Sequence, residues 1–286
     1  MVFNRTLFRQ VAIIGTGLVG GSIGIAMRKG KLAGKVIGCA RHEATLKTAE
    51  VIGAIDAGTT SLQKAVYGAD LVILAAPVQV IMDQIKEVGR YLRRGTIVTD
   101  VGSSKVAVVD LAHKHFPEHV FFVGSHPMAG SEKSGIQHAR ADLLKGASCL
   151  MTPTEKTNRQ ARDKVRQLWE KLEMTVQSLA PAQHDQIMAQ VSHLPHVVAF
   201  ALMHSIQEDA LCYASTGLKD TTRIAASCPR MWTDISLSNS RDLLKAIDEM
   251  VRNLSEFRKD LIEKDASALE QFVAKANVRR AKLEGK

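Results

Sequence analysis

Val11-Ala12-Ile13-Ile14-Gly15-Thr16-Gly17-Leu18-Val19-Gly20-Gly21-Ser22 decides how this chain is read. An apolar run rich in β-branched residues ends in a glycine cluster, and the apolar-periodic Ile23-Gly24-Ile25-Ala26-Met27 follows. That order predicts a strand, a tight turn and a helix. The spacing G-x-G-x-x-G falls on Gly15, Gly17 and Gly20, in the context a dinucleotide-binding turn requires. Gly15 lets the chain turn sharply out of the strand. Gly17 removes a Cβ where a pyrophosphate would approach, and Gly20 lets the helix pack closely on the strand. Thr16, Leu18 and Val19 complete the turn. The first N–H groups of the helix have no partner within it and can bind an anion.

Outward from this stretch, short apolar runs alternate with helical patterns. Val36–Cys39, Asp70–Ala76, Thr96–Asp100 and Val120–Val123 read as strands, with shorter ones at Ala147–Met151 and Met174–Gln177. Gln79–Arg90 and Glu155–Leu172 read as helices. The alternation predicts an α/β, Rossmann-type doubly wound parallel sheet over residues 1–179, with ligands at the carboxyl ends of its strands. From residue 180 to 286 the pattern is helical throughout, which predicts an all-helical C-terminal domain, whose apolar stretches could form a monomer core or, as favoured here, a dimer interface. Pro195 is expected to bend the helix over Ala182–Ser205, and Arg241–Lys264 carries apolar residues at helical spacing.

Composition narrows the function. The 286 residues are 45% hydrophobic and carry a formal net charge of +9. Lys and Arg are mixed with Glu and Asp and do not alternate with aromatic residues, which argues against nucleic acid. No apolar run approaches the ~20 residues of a membrane span, and Met1–Gln10 lacks the apolar core of a signal peptide. Cys39, Cys149, Cys212 and Cys228 are dispersed, as expected in a reducing compartment. The expectation is a soluble, cytoplasmic enzyme acting on a small molecule. Metal ligands are not expected: His193 and His196 stand three apart without nearby acidic or cysteine partners.

The second strand ends Gly38-Cys39-Ala40-Arg41-His42, without the acid that binds ribose hydroxyls in the NAD version of the fold. A guanidinium at Arg41 suits a 2′-phosphate, so NADP is favoured and NAD is the alternative.

Three further stretches carry chemistry. Asp100-Val101-Gly102-Ser103-Ser104-Lys105 follows a strand, and one of its serines is expected to cap the next helix. Gly124–Gly135 also follows a strand and centres on His126, whose ordinary pKa suits it to take a hydroxyl proton during hydride removal. Gly217–Ala225 contains Arg223, a fork for a carboxylate or the partner of Asp220 in an ion pair.

In combination, Gly15–Ser22, Asp100–Lys105, Gly124–Gly135, Ser192–His196 and Asp220–Ala225, with Met231-Trp232, resemble the prephenate/arogenate dehydrogenase family of tyrosine biosynthesis. The resemblance runs from about Val11 to the Arg241 region. It implies oxidative decarboxylation of a cyclohexadienol that carries a ring carboxylate, with hydride passing to NAD(P)+. It also implies that His126 assists deprotonation of the ring hydroxyl and that Ser103 helps hold that hydroxyl or the histidine. Arg223 would bind the ring carboxylate, and Ser131, Glu132 and His196 would border the substrate. A homodimer through the helical domain is expected, with no regulatory domain after that domain and no chorismate mutase segment before the first. Two competing readings are a dehydrogenase of the β-hydroxyacid type and a non-catalytic dinucleotide-sensing protein. The first leans on a lysine in the helical domain, where only Lys219 lies in the polar patch. The second leaves His126, His196 and Arg223 without a task.

Overall fold

The computed structural model describes residues 6–129 and 133–284. The N-terminal part runs β1 (Phe8–Ile14), α1 (Leu18–Lys29), β2 (Ala33–Cys39), α2 (Glu43–Val51), β3 (Ala57–Thr59), α3 (Leu62–Val66) and β4 (Leu71–Leu74). It continues with α4 (Val78–Val88), β5 (Ile97–Asp100), α5 (Val106–His115), β6 (Phe121–Pro127), β7 (Ser148–Thr152), α6 (Arg159–Lys171) and β8 (Thr175–Ser178). The eight strands form one sheet in the order β3-β2-β1-β4-β5-β6-β7-β8.

The strands are buried on both faces because their sequences are apolar without alternation. Val11, Ala12, Ile13 and Ile14 are all buried. Val11 and Ile13 join a core cluster with Leu71, Ile73 and Trp169, whereas Ala12 and Ile14 join another with Val72, Leu74 and Val98. Successive residues of one strand thus supply the two opposite faces. The helices cover these faces with apolar stripes: Val78, Ile81, Ile85 and Val88 on α4, and Ala161, Val165, Leu168 and Trp169 on α6. Asn158 caps α6, its side chain accepting from Ala161 N at 3.0 Å.

β1 to β6 pair in parallel, but β7 runs antiparallel to β6, and β8 is parallel to β7. The expected all-parallel sheet therefore holds with one exception. Its cause is the connection: between β6 and β7 the described residues form only the short 3₁₀ turn Ile136–His138, and a parallel return needs a longer crossover, usually a helix.

Beyond Ser178 every element among the described residues is helical: α7 (Pro181–Met188), α8 (Leu194–Ser205), α9 (Thr216–Thr222), α10 (Pro229–Ser238), α11 (Ser240–Glu263) and α12 (Ala266–Glu284). A wide π-helical turn over Ala189–His193 joins α7 to α8, immediately before Pro195 in the first turn of α8. Proline has no N–H to continue the ladder behind it, and the widened turn absorbs that loss. The chain divides into two compact units, the first reaching Asn239 and the second beginning at Ser240. The second is a helical hairpin in which Phe257 and Phe272 approach to 5.3 Å between ring centres.

Candidate active site

The strand order reverses on either side of β1, which pairs with β2 and with β4. The crevice at such a switch point is where open α/β sheets hold ligands. The glycine turn lies there. Gly15 has φ +103°, and a Cβ on it would stand 2.2 Å from the carbonyl oxygen of Ala75, just past β4. A Cβ on Gly20 would stand 2.0 Å from Gly15 O and 3.1 Å from Ile13 Cγ2, so the closeness of α1 to β1 excludes any side chain. Gly17 differs, since a Cβ there meets no atom within 4 Å. The N-terminus of α1 carries no side-chain cap, and Thr16 Oγ1 is buried with no partner among the described residues. A cradle of open space, uncapped N–H groups and an unsatisfied hydroxyl fits the pyrophosphate of a dinucleotide. Gly15, Thr16, Gly17, Leu18, Val19 and Gly20 would hold it. Arg41 is exposed just beyond β2 and forms no ion pair among the described residues.

The carboxyl ends of β5 and β6 carry a buried polar network. Asp100 and Lys105 are both fully buried and paired through Asp100 Oδ2 and Lys105 Nζ. Lys105 Nζ also donates to Ser125 O at 2.9 Å. Asp100 accepts from Gly102 N at 2.9 Å and from Ser125 N at 3.1 Å. A buried pair with further hydrogen bonds at both ends is the arrangement that offsets the desolvation of two charges. The network ties the loop after β5 to β6 at the residue preceding His126.

His126 Nδ1 lies 2.9 Å from His184 Nε2 on α7, and His184 Nδ1 lies 2.8 Å from Asp185 Oδ1. Asp185 accepts from Lys105 N at 2.7 Å and Val106 N at 2.8 Å. It therefore caps α5 from another helix. The expectation that Ser103 or Ser104 caps α5 is corrected: Lys105 is the cap position, Ser104 donates to Ser238 Oγ at 2.8 Å, and Ser103 makes no hydrogen bond among the described residues. Desolvation, then His184 and the Lys105 ammonium, hold the His126 pKa well below its ordinary value. His126 is consequently a neutral base at pH 7.

Helices α8 and α10 continue the site. His193 and His196 flank Trp232: His196 stacks on the indole at 3.5 Å between ring centres, and His193 meets it edge-on at 6.0 Å. His196 Nδ1 donates to Ser192 O at 2.9 Å. Burial lowers the His193 pKa to about 4. The His196 pKa is lowered by desolvation and also by the Arg223 guanidinium, which places that charge nearby. Arg223 is exposed and opens the 3₁₀ turn after α9. The Asp220–Arg223 ion pair weighed from the sequence is not among those formed by the described residues, which leaves the guanidinium available to an anion. Phe200, Met203, His204, Thr222, Ala225 and Ala226 line an open depression beside it.

The structure therefore links His126 with His184, and His196 with Trp232 and Arg223. Ser131 and Glu132 lie outside the described residues. Among the described residues no group of three or more His, Cys, Asp or Glu is placed to hold a metal, and no helix is long and apolar enough to cross a membrane. All four cysteines are free. The sequence reading passed over His184, Asp185 and the buried role of Lys105. The signal was faint: an adjacent His-Asp pair at a helix start has no motif spacing, and its partners are 58 and 80 positions away.

Comparison with known proteins adds the following. Residues 23–178 match the family described as prephenate dehydrogenase, nucleotide-binding domain, and residues 180–275 match prephenate dehydrogenase, dimerization domain. The chain is 34% identical over 269 residues to the prephenate dehydrogenase of Bacillus subtilis strain 168, covering 92% of this chain and 72% of that protein. It is 31% identical over 284 residues to the cyclohexadienyl dehydrogenase of Zymomonas mobilis, covering 96% and 97%. Among solved structures, prephenate dehydrogenase from A. aeolicus in complex with hydroxyphenyl propionate and NAD+ superposes with a TM-score of 0.89 at 32% identity, over 96% of this chain and 98% of that one.

Proposed function

Because this chain belongs to the prephenate dehydrogenase family, we propose that His126 is its general base and Arg223 its carboxylate fork. The enzyme is an oxidoreductase that oxidatively decarboxylates prephenate or arogenate in tyrosine biosynthesis, giving 4-hydroxyphenylpyruvate or tyrosine. It uses a nicotinamide dinucleotide, which supplies the hydride acceptor when bound.

The observation that carries the assignment of the base is the half-buried, neutral His126, hydrogen-bonded at Nδ1 to His184. A neutral imidazole can take the proton of the ring hydroxyl as the ring carbon is oxidised. Arg223, exposed and without an acidic partner among the described residues, offers two parallel N–H donors to the ring carboxylate until carbon dioxide leaves. His196, held on Trp232, gives the substrate ring a flat wall. We assign Ser103, half-buried after β5, to the hydroxyl or to His126, and Ser131 and Glu132 to the border of the substrate.

NADP is our preferred cofactor, on the ground that Arg41 stands where an acid would select NAD. Residues 180–286 are proposed as the substrate and dimerisation domain that follows a nucleotide-binding domain of residues 1–179. The cytoplasm is the proposed compartment, in keeping with four free thiols.

Initial rates with prephenate or arogenate, each with NAD or NADP, test substrate and cofactor together. A preference of about 10²-fold in kcat/KM, near 2.7 kcal/mol, is expected for one NADP pair. Arg41→Ala should narrow the NADP preference. An NAD preference unaffected by Arg41→Ala would make Arg41 an ordinary surface residue.

A further inference from the structure

We propose that His184 and Asp185 are positioning residues that fix His126 in a single tautomer, with the proton on Nδ1 and a bare lone pair on Nε2. This role deepens the reading of His126 as the base and rests on it. Both oxygens of Asp185 are engaged by backbone N–H groups, Oδ1 by Lys105 N at 2.7 Å and Oδ2 by Val106 N at 2.8 Å. Both oxygens therefore act as acceptors, as a carboxylate does, and helix N-termini favour such a charge.

His184 Nδ1 lies 2.8 Å from the same Oδ1, so it must be the donor. A neutral imidazole carries one N–H, so His184 Nε2 has a lone pair. His126 Nδ1 lies 2.9 Å from that atom and must in turn donate. Only Nε2 of His126 is then left to accept a proton. With both rings neutral these bonds allow one arrangement of protons, and desolvation lowers the pKa of each ring.

The pair is enclosed by its scaffold. His184 and Asp185 are both buried, and Asn239 Nδ2 donates to the backbone oxygen of Asp185 at 2.8 Å. When the substrate O–H bond breaks and the proton joins His126 Nε2, the new imidazolium keeps its Nδ1–H on His184. The carboxylate of Asp185 lies one ring beyond. The proton leaves to water after turnover, and neither His184 nor Asp185 changes its proton count.

The test compares the full-length wild type with His184→Phe and His184→Gln. Nitrogen-15 NMR of histidine-labelled protein reads the tautomer, with His126 signals assigned through His126→Asn. Steady-state kinetics read kcat and KM. In the wild type, His126 should show a protonated Nδ1 and a bare Nε2. In His184→Phe, both tautomers should appear and kcat should fall about 10²-fold with KM changed less than about twofold. The glutamine amide oxygen can accept from His126 Nδ1, so His184→Gln should recover about tenfold of that loss.

A wild-type His126 protonated at Nε2, or a single Nδ1–H form persisting in His184→Phe, would overturn the proposal. If His184→Phe does not fold, the wild-type spectrum decides alone. If His126→Asn turns over normally, the assignment of the base fails, while the spectrum still judges the relay on its own.

Discussion

At the residue scale the proposed site depends on two side chains whose surroundings differ. His126 lies within β6, hydrogen-bonded to the buried His184, and a general base there would contribute in the transition state, when a proton moves. His126→Asn removes the acceptor and should lower kcat by about 10²–10⁴-fold, roughly 3–5 kcal/mol of barrier, with substrate KM little changed. Stopped-flow or steady-state absorbance of the reduced nicotinamide measures this, and near-normal turnover would release His126 from the role. Arg223 is exposed, and the carboxylate we propose it holds is present in the substrate before and during reaction. Arg223→Ala should therefore appear mainly in KM, raised about 10–10²-fold. A KM that stays put would send the guanidinium back to the surface. The same contrast explains what could be read early. His126 and Arg223 stand within recognisable stretches of sequence, whereas His184 and Asp185 acquire their meaning only from hydrogen bonds across α7, β6 and α5.

At the scale of elements, the glycine turn was legible because its constraint is local. Gly15 needs a positive φ, and the run Val11–Ile14 before it is apolar on both faces. β3 was not legible: Ala57-Gly58-Thr59 is three residues long and has no apolar run, and it becomes a strand only by pairing with β2. The antiparallel β7 was likewise hidden, since sequence periodicity reports exposure and not direction. Helix α11 carries a different message. Leu244, Val251, Leu254 and Leu261 are each more than half exposed in the single chain, an apolar stripe at helical spacing. The dimerisation we propose for residues 180–286 gives that stripe an occupant, a second copy of the chain. Leu254→Glu places a charge within it and should shift the protein from dimer to monomer in sedimentation velocity, with helical circular dichroism retained. A Leu254→Glu protein that sediments as a dimer would move the interface off α11.

At the scale of the whole molecule, the imidazoles set the response to acid. The chain has ten histidines, and for five of them, His113, His126, His184, His193 and His196, the folded state holds the pKa below the ordinary 6.5. Desolvation is the first cause in each case. The sign follows from proton counting. Below about pH 6.5 the unfolded chain binds protons that the folded chain refuses, so acid favours unfolding. Their stabilising effect is fully present above the unfolded pKa and is lost as pH falls toward each folded pKa, about 4 for His193. Each group contributes a slope of up to about 1.4 kcal/mol per pH unit within its window. Protonation also adds to a chain already at +9, which raises self-repulsion in the compact state. Carboxylates act lower: Asp70, held down by Arg9, loses its contribution only near its own depressed range. Thermal unfolding followed from pH 8 to pH 4.5 should therefore show Tm level above about 7 and declining steadily below 6.5, before the carboxylates titrate. His193→Gln removes one of these groups and should make the decline shallower. A Tm that is flat between pH 7 and pH 5 would mean that the imidazoles of the site take up protons in the folded state, which the neutral His126–His184 pair does not allow.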